Sequence, residues 1–209
     1  MTRKLLIIPI VHGEEEMGSL KEHIARISGE KMGETGHERQ RAAVIEFWDR
    51  LDLFLQEILV HTDAREIQIF QDGLPTGGEL GEKIVRECAE NGIHNYRILV
   101  PLIESGAKLE QTESPQLLKE EYGLIREIFT APSPQQRERL SSVHGKRLEE
   151  LGRERDSFIA LRIAEMLRED HMGILFIGAT HNVTGLLPEG IHTYILDYDI
   201  EKIIQWLEE

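Results

Sequence analysis

Two histidines stand just past apolar runs at opposite ends of the chain. His12 follows "LLIIPIV" (5–11) and His181 follows "GILFIGA" (173–179). Gly13 sits beside the first, with Glu14, Glu15 and Glu16 after it, and the second belongs to Gly178-Ala179-Thr180-His181-Asn182. An imidazole near its ordinary pKa accepts a proton from water at neutral pH. Two histidines and a carboxylate with an open position suit a divalent ion such as zinc or manganese, which makes hydroxide available near neutrality. His12 and Glu16 share a face only where the turn between them is helical. Each feature also has an ordinary reading. A histidine after a strand is commonly a hydrogen-bonded loop residue, a glutamate run suits a helix N-terminus, and Gln71-Asp72-Gly73 is turn chemistry.

The elements that must position these groups are legible as periodicity. Apolar runs at 5–11, 66–71 ("EIQIFQ"), 96–103 ("YRILVPLI") and 173–179 read as strands, and 192–197 ("HTYILD") as a fifth. The first, third and fourth are nearly continuous in apolar character, as in strands covered on both faces. Helical patterns lie between them at 36–61, 78–92 and 114–131, and a long one runs from about 135 to 169 after the break "PSP" (132–134). Alternation of this kind predicts an α/β fold with a mostly parallel central sheet of four or five strands flanked by helices. The chain reads as a single domain over 1–209, with a long helical insertion at about 104–172 before the penultimate strand.

In such sheets ligands bind beyond the carboxyl ends of the strands. The strand ends here deliver His12 and Glu16, then Asp72, then Glu104, then His181 and Asn182, which predicts one shared polar rim. Asp72, Glu104 and Asn182 are its candidate substrate-binding groups. The long helix adds Arg155 and Asp156, with Asp156 in line with Ile159, Ala160, Ile163, Met166 and Leu167. That stripe should be buried, and a buried ion needs a partner. The two residues form either a structural Arg–Asp pair or part of the rim, orienting a histidine or binding an anion.

Composition bounds the function. The 38 acidic against 24 basic residues give a net charge of −14, which disfavours nucleic acid or an anionic membrane as the main partner. The single cysteine, Cys88, cannot form an internal disulfide and fits a reducing compartment. The N-terminal apolar run is too short for a signal peptide and meets acid where a cleavage site belongs. A cytoplasmic protein is expected. Neither G-x-S-x-G nor a Walker loop occurs, which disfavours a serine hydrolase or a P-loop enzyme. "GLPTGGELGEK" could hold a phosphate at a helix start but lacks the Lys-Ser/Thr ending.

"VHGEEEMGSL", followed much later by "RERDSFIALRIAEML" and "GILFIGATHNVTGL", resembles the erythromycin-esterase-like, ChaN-like and TraB/TIKI superfamily. The shared pieces are His12 with Glu16, Arg155-Asp156, and Gly178-x-x-His181 with Asn182. The resemblance implies an α/β core with its active site at the strand ends and helices inserted over it. Members include ester hydrolases, proposed metal-dependent peptidases and haem-binding proteins. It implies His12 as general base, Glu16 orienting it or sharing a metal, His181 as second base or ligand, and Arg155 pairing with a carboxylate or the substrate. His12, Glu16 and His181 are then the candidate metal ligands. The chain is shorter than the macrolide esterases, so macrolide chemistry is not implied. The resulting expectation is a hydrolase of a small ester, amide or peptide, with or without the assistance of a metal. The alternatives are a metal-, haem- or small-ligand-binding protein, or a scaffold whose long helices mediate a homo-oligomer.

Overall fold

Five helices cover one face of a parallel sheet, and one long helix covers the other. The structure is a computed structural model. It describes residues 3–10 and 20–208, except for the side chains of 28–34, 37, 200 and 208. The strands are β1 (Arg3–Ile10), β2 (Ile67–Gln71), β3 (Lys108–Glu110), β4 (Met172–Gly178) and β5 (Ile191–Ile195). All pair in parallel, in the order β3-β2-β4-β1-β5. The helices are α1 (Lys21–His61), α2 (Gly78–Glu90), α3 (His94–Arg97), α4 (Leu99–Glu104), α5 (Pro115–Phe129), α6 (Pro134–Met166) and α7 (Ile200–Glu208).

Side chains alternate across a strand, and the inner strands use both faces. Leu6 and Ile8 of β1, Ile69 of β2 and Ile174 and Phe176 of β4 pack with Leu51, Leu55 and Ile58 of α1 and Val85 of α2. Leu5 and Ile7, Phe70, Leu175 and Ile177 face the other way, onto Ile159, Ala160 and Ile163 of α6. Each such side chain contributes about 1.5–3 kcal/mol by leaving water, which makes β4, buried at every residue, the centre of the fold. Chain leaving β2 enters α2 on the first face. Chain leaving β4 packs Val183 against the second. The neighbours β2 and β4 therefore form a switch point, where open α/β sheets hold ligands.

One expected strand is corrected. "YRILVPLI" is α3 and α4, because Leu99, Leu102 and Ile103 are buried at i, i+3, i+4 spacing. A short apolar run does not distinguish strand from helix by itself. Pro101 sits in the first turn of α4, where its missing N–H costs little, whereas a strand ladder would lose a bond. The actual strand, β3, has Leu109 as its one apolar residue, between Lys108 and Glu110. The helical excursion follows it, as α5 and α6. Both helices begin on Ser-Pro, with Ser114 and Ser133 accepting the backbone N–H of Leu117 and Gln136. No helix among the described residues is long and apolar enough to cross a membrane.

Candidate functional site

The carboxyl ends of β2, β3 and β4 are tied together by backbone before any side chain reaches across. Asp72 N–H donates to the carbonyl of Phe176 at 2.9 Å, extending the β2–β4 ladder one residue beyond β2. Gly73 then adopts φ +77°, a left-handed conformation that glycine takes without strain, and turns the chain toward α2. The N–H groups of Thr112 and Glu113 both donate to Leu74 O, and Gln71 N–H donates to Thr112 Oγ1 at 2.9 Å. This approach depends on Gly77, where a Cβ would lie 2.7 Å from the backbone of Gln111 and Leu109.

Onto this platform α6 lowers two charged residues. Leu151, Arg155, Asp156, Ile159, Ala160 and Ile163 form its buried stripe. Arg155 spans three carboxylates. Its Nη2 donates to Asp72 Oδ1 at 2.8 Å and to Glu113 Oε1 at 2.5 Å, and its Nη1 donates to Glu121 Oε2 of α5 at 2.6 Å. Asp156 does not pair with its neighbour. Its Oδ1 lies 2.5 Å from His181 Nδ1, and its Oδ2 accepts the N–H of Asn182 at 3.0 Å. Asp72 Oδ2 accepts the N–H of Gly178 at 3.0 Å and lies 3.5 Å from His181 Nε2.

Burial sets the electrostatics. Burial pulls the Arg155 pKa down, but hydrogen bonding to Glu113 and the charges of Glu113, Asp72 and Glu121 outweigh it, so the net direction is up. Burial pushes Glu113 up to about 7, despite the opposing Arg155, and the Asp72 charge adds to the rise. Glu113 Oε2 is enclosed and has no hydrogen-bond partner among the described residues. Beside these groups a cleft of about 540 Å³ opens, lined by Glu121, Leu148, Arg155, Asp156, Thr180, His181 and Asn182 among others.

Several sequence-derived candidates therefore meet: Asp72, Arg155, Asp156, His181 and Asn182. Asp72 meets Arg155 rather than facing the cleft. Glu104 does not join them. It ends α4, is exposed, and pairs with Arg86 at 2.9 Å. His12 and Glu16 lie outside the described residues. β1 reaches the same edge of the sheet, with its last residue, Ile10, opposite Gly178. Glu113 and Glu121 went unnoticed in the sequence. With "YRILVPLI" read as the third strand, the true strand end at "LEQTES" carried no signal, and Glu121 reads as one charge among many on a helix.

The donor chemistry fits a metal ion. Asp72, Glu113 and His181 each offer a ligand atom, all within 4.8 Å of one another. Glu113, whose Oε2 has no hydrogen-bond partner among the described residues, is one of the three. No family model, curated protein or solved structure matches the chain.

Proposed function

We propose that the protein is a hydrolase of a small ester, amide or peptide, with His181 as its water-activating residue. The observation that carries the reading is the Asp156–His181 pair at the β2/β4 switch point, on the wall of the cleft. A carboxylate only accepts, so Nδ1 of His181 carries a hydrogen, and in the neutral imidazole Nε2 presents a lone pair. With its site open, Nε2 takes a proton from water as the oxygen attacks the substrate carbonyl, and Asp156 steadies the imidazolium that forms. Arg155 also lines the cleft, but its guanidinium is engaged by Asp72, Glu113 and Glu121, so its part is to hold those carboxylates in place. His12 and Glu16 enter on the superfamily resemblance alone, as a second base and its partner.

The test is a panel of chromogenic esters and short peptides, assayed with wild type, His181→Ala and Asp156→Asn. Loss of the base is expected to lower kcat/KM by about 10²–10⁴ while circular dichroism stays native. Unchanged rates in both variants exclude this role for His181.

A second reading, binding without turnover, draws on a different observation. Asp72 and Glu113 are buried and do not line the cleft, which suits an inner group that is held rather than a substrate that is exchanged.

A further inference from the structure

We infer that Asp72, Glu113 and His181 form a binding site for one first-row divalent cation, a ligand set different from the His12–Glu16–His181 set that the resemblance implies. The inference rests on reading this rim as the functional site, and its test measures binding rather than turnover.

Asp72, Glu113 and His181 each offer one acceptor atom, all within 4.8 Å of one another, and Asp72 Oδ2 also accepts the N–H of Gly178. The Asp156 carboxylate holds a hydrogen of His181 on Nδ1, so in the neutral imidazole Nε2 turns its lone pair toward Asp72 Oδ2 at 3.5 Å. The third is the Glu113 carboxyl, fully enclosed, with Oε2 unpartnered among the described residues. Facing acceptors repel, and a buried polar atom left unpaired costs about 1–3 kcal/mol. A proton bridges two of these groups, whereas a cation is shared by all three.

The surroundings are those of a ligand shell. Ligating histidines usually give their other N–H to a carboxylate, and ligating carboxylates are themselves hydrogen-bonded. Asp156 does the first for His181. Arg155 does the second, gripping Asp72 Oδ1 and Glu113 Oε1. Charge points the same way: Asp72, Glu113, Glu121 and Asp156 are set against one guanidinium and one imidazole. One imidazole and two carboxylates select zinc, manganese or ferrous iron over soft ions. A bound ion supplies Lewis acidity toward water. His181 then acts as a ligand, with its tautomer still set by Asp156.

Full-length protein stripped with a chelator and titrated with Mn²⁺ and Zn²⁺ provides the test. Mn²⁺ paramagnetic resonance and calorimetry are expected to show saturable binding of one ion with Kd below about 1 mM. Asp72→Asn and Glu113→Gln are expected to weaken it about tenfold or more, and Glu127→Gln, at an exposed residue near the end of α5 that pairs with His144, to leave it unchanged. Should either variant misfold, ¹⁵N spectra of wild-type histidines decide. Zn²⁺ is expected to shift Nε2 of His181 and leave Nδ1 protonated. Absence of saturable binding by wild type, binding unaltered in both folded variants, or a His181 signal that ignores Zn²⁺ overturns the inference. Ester hydrolysis by metal-free protein without binding leaves the hydrolase reading standing and removes this one. Binding without hydrolysis does the reverse.

Discussion

Arg155 and Asp156 are adjacent in sequence but serve different partners, one gathering carboxylates and the other holding an imidazole. Removing Arg155 leaves Asp72 and Glu113 buried without their counter-ion, and such losses typically cost about 3–5 kcal/mol. Arg155→Met is therefore expected to lower the urea midpoint sharply. Arg155→Lys is expected to recover only part, since an ammonium lacks the planar fork that reaches three carboxylates. Glu113 gives a pH signature. Its folded-state pKa is about 7 against an ordinary 4.5, so the folded chain keeps a proton that the unfolded chain releases. The stabilisation is complete below about pH 4.5 and is lost as pH rises through about 7, on the order of 3 kcal/mol. In metal-free protein, Glu113→Gln is expected to gain on wild type in urea midpoint between pH 5 and pH 8. Parallel profiles for the two proteins refute the assignment.

Among the elements, β1 and β4 were legible because burial on both faces leaves a nearly continuous apolar signature, and β2 as the shorter run "EIQIFQ". β3 was not, because an edge strand of Lys108-Leu109-Glu110 pairs through its backbone and offers no pattern. Its polar side chains are nonetheless used. Glu110 accepts from Gln68 Nε2 at 2.8 Å, and the same amide reaches Met166 O, clamping the end of α6 to the sheet. Arg155 and Asp156 were found on α6 because the helical stripe predicts burial, and buried charges demand partners. Which partners could not be read from spacing, since they lie 42 and 83 positions away for Arg155. The close approach of β3 to the β2–α2 turn makes Gly77 an element-scale test. Gly77→Ala drives a methyl into backbone at 2.7 Å, so neither side can yield by a rotamer change. The variant is expected to lose more than about 2 kcal/mol and, with Glu113 displaced, the cation affinity proposed above. Gly123→Ala, with open space at its Cβ, is the control and is expected to be neutral or stabilising.

Across the whole molecule, both long helices run well past the sheet. α1 has 41 residues and α6 has 33, so at about 1.5 Å per residue they extend roughly 60 and 50 Å. A strand of 8 residues such as β1 covers about 26 Å at 3.3 Å each. Among the described side chains of α1, burial begins at Trp48, and in α6 it begins at Leu151. The site is built one turn inside that boundary, where α6 first becomes part of the core. Stability should therefore divide within each helix. The inner halves sit in the sheet's apolar layers and open only when those layers do. The outer halves are held by local hydrogen bonds and exposed pairs such as Arg147–Glu120 and His144–Glu127, each worth about 0–1 kcal/mol. Amide hydrogen exchange is expected to show β4, residues 50–60 and residues 156–166 exchanging only through global unfolding. Residues 138–148 of α6 and 38–46 of α1 should exchange about 10²-fold faster or more. Uniform protection along α6 would mean that something beyond this chain's own core covers its outer half. A gradient breaking near Leu151 places the rigid limit of the fold at the base of the Arg155–Asp156 turn, where a site built from distant strand ends needs it.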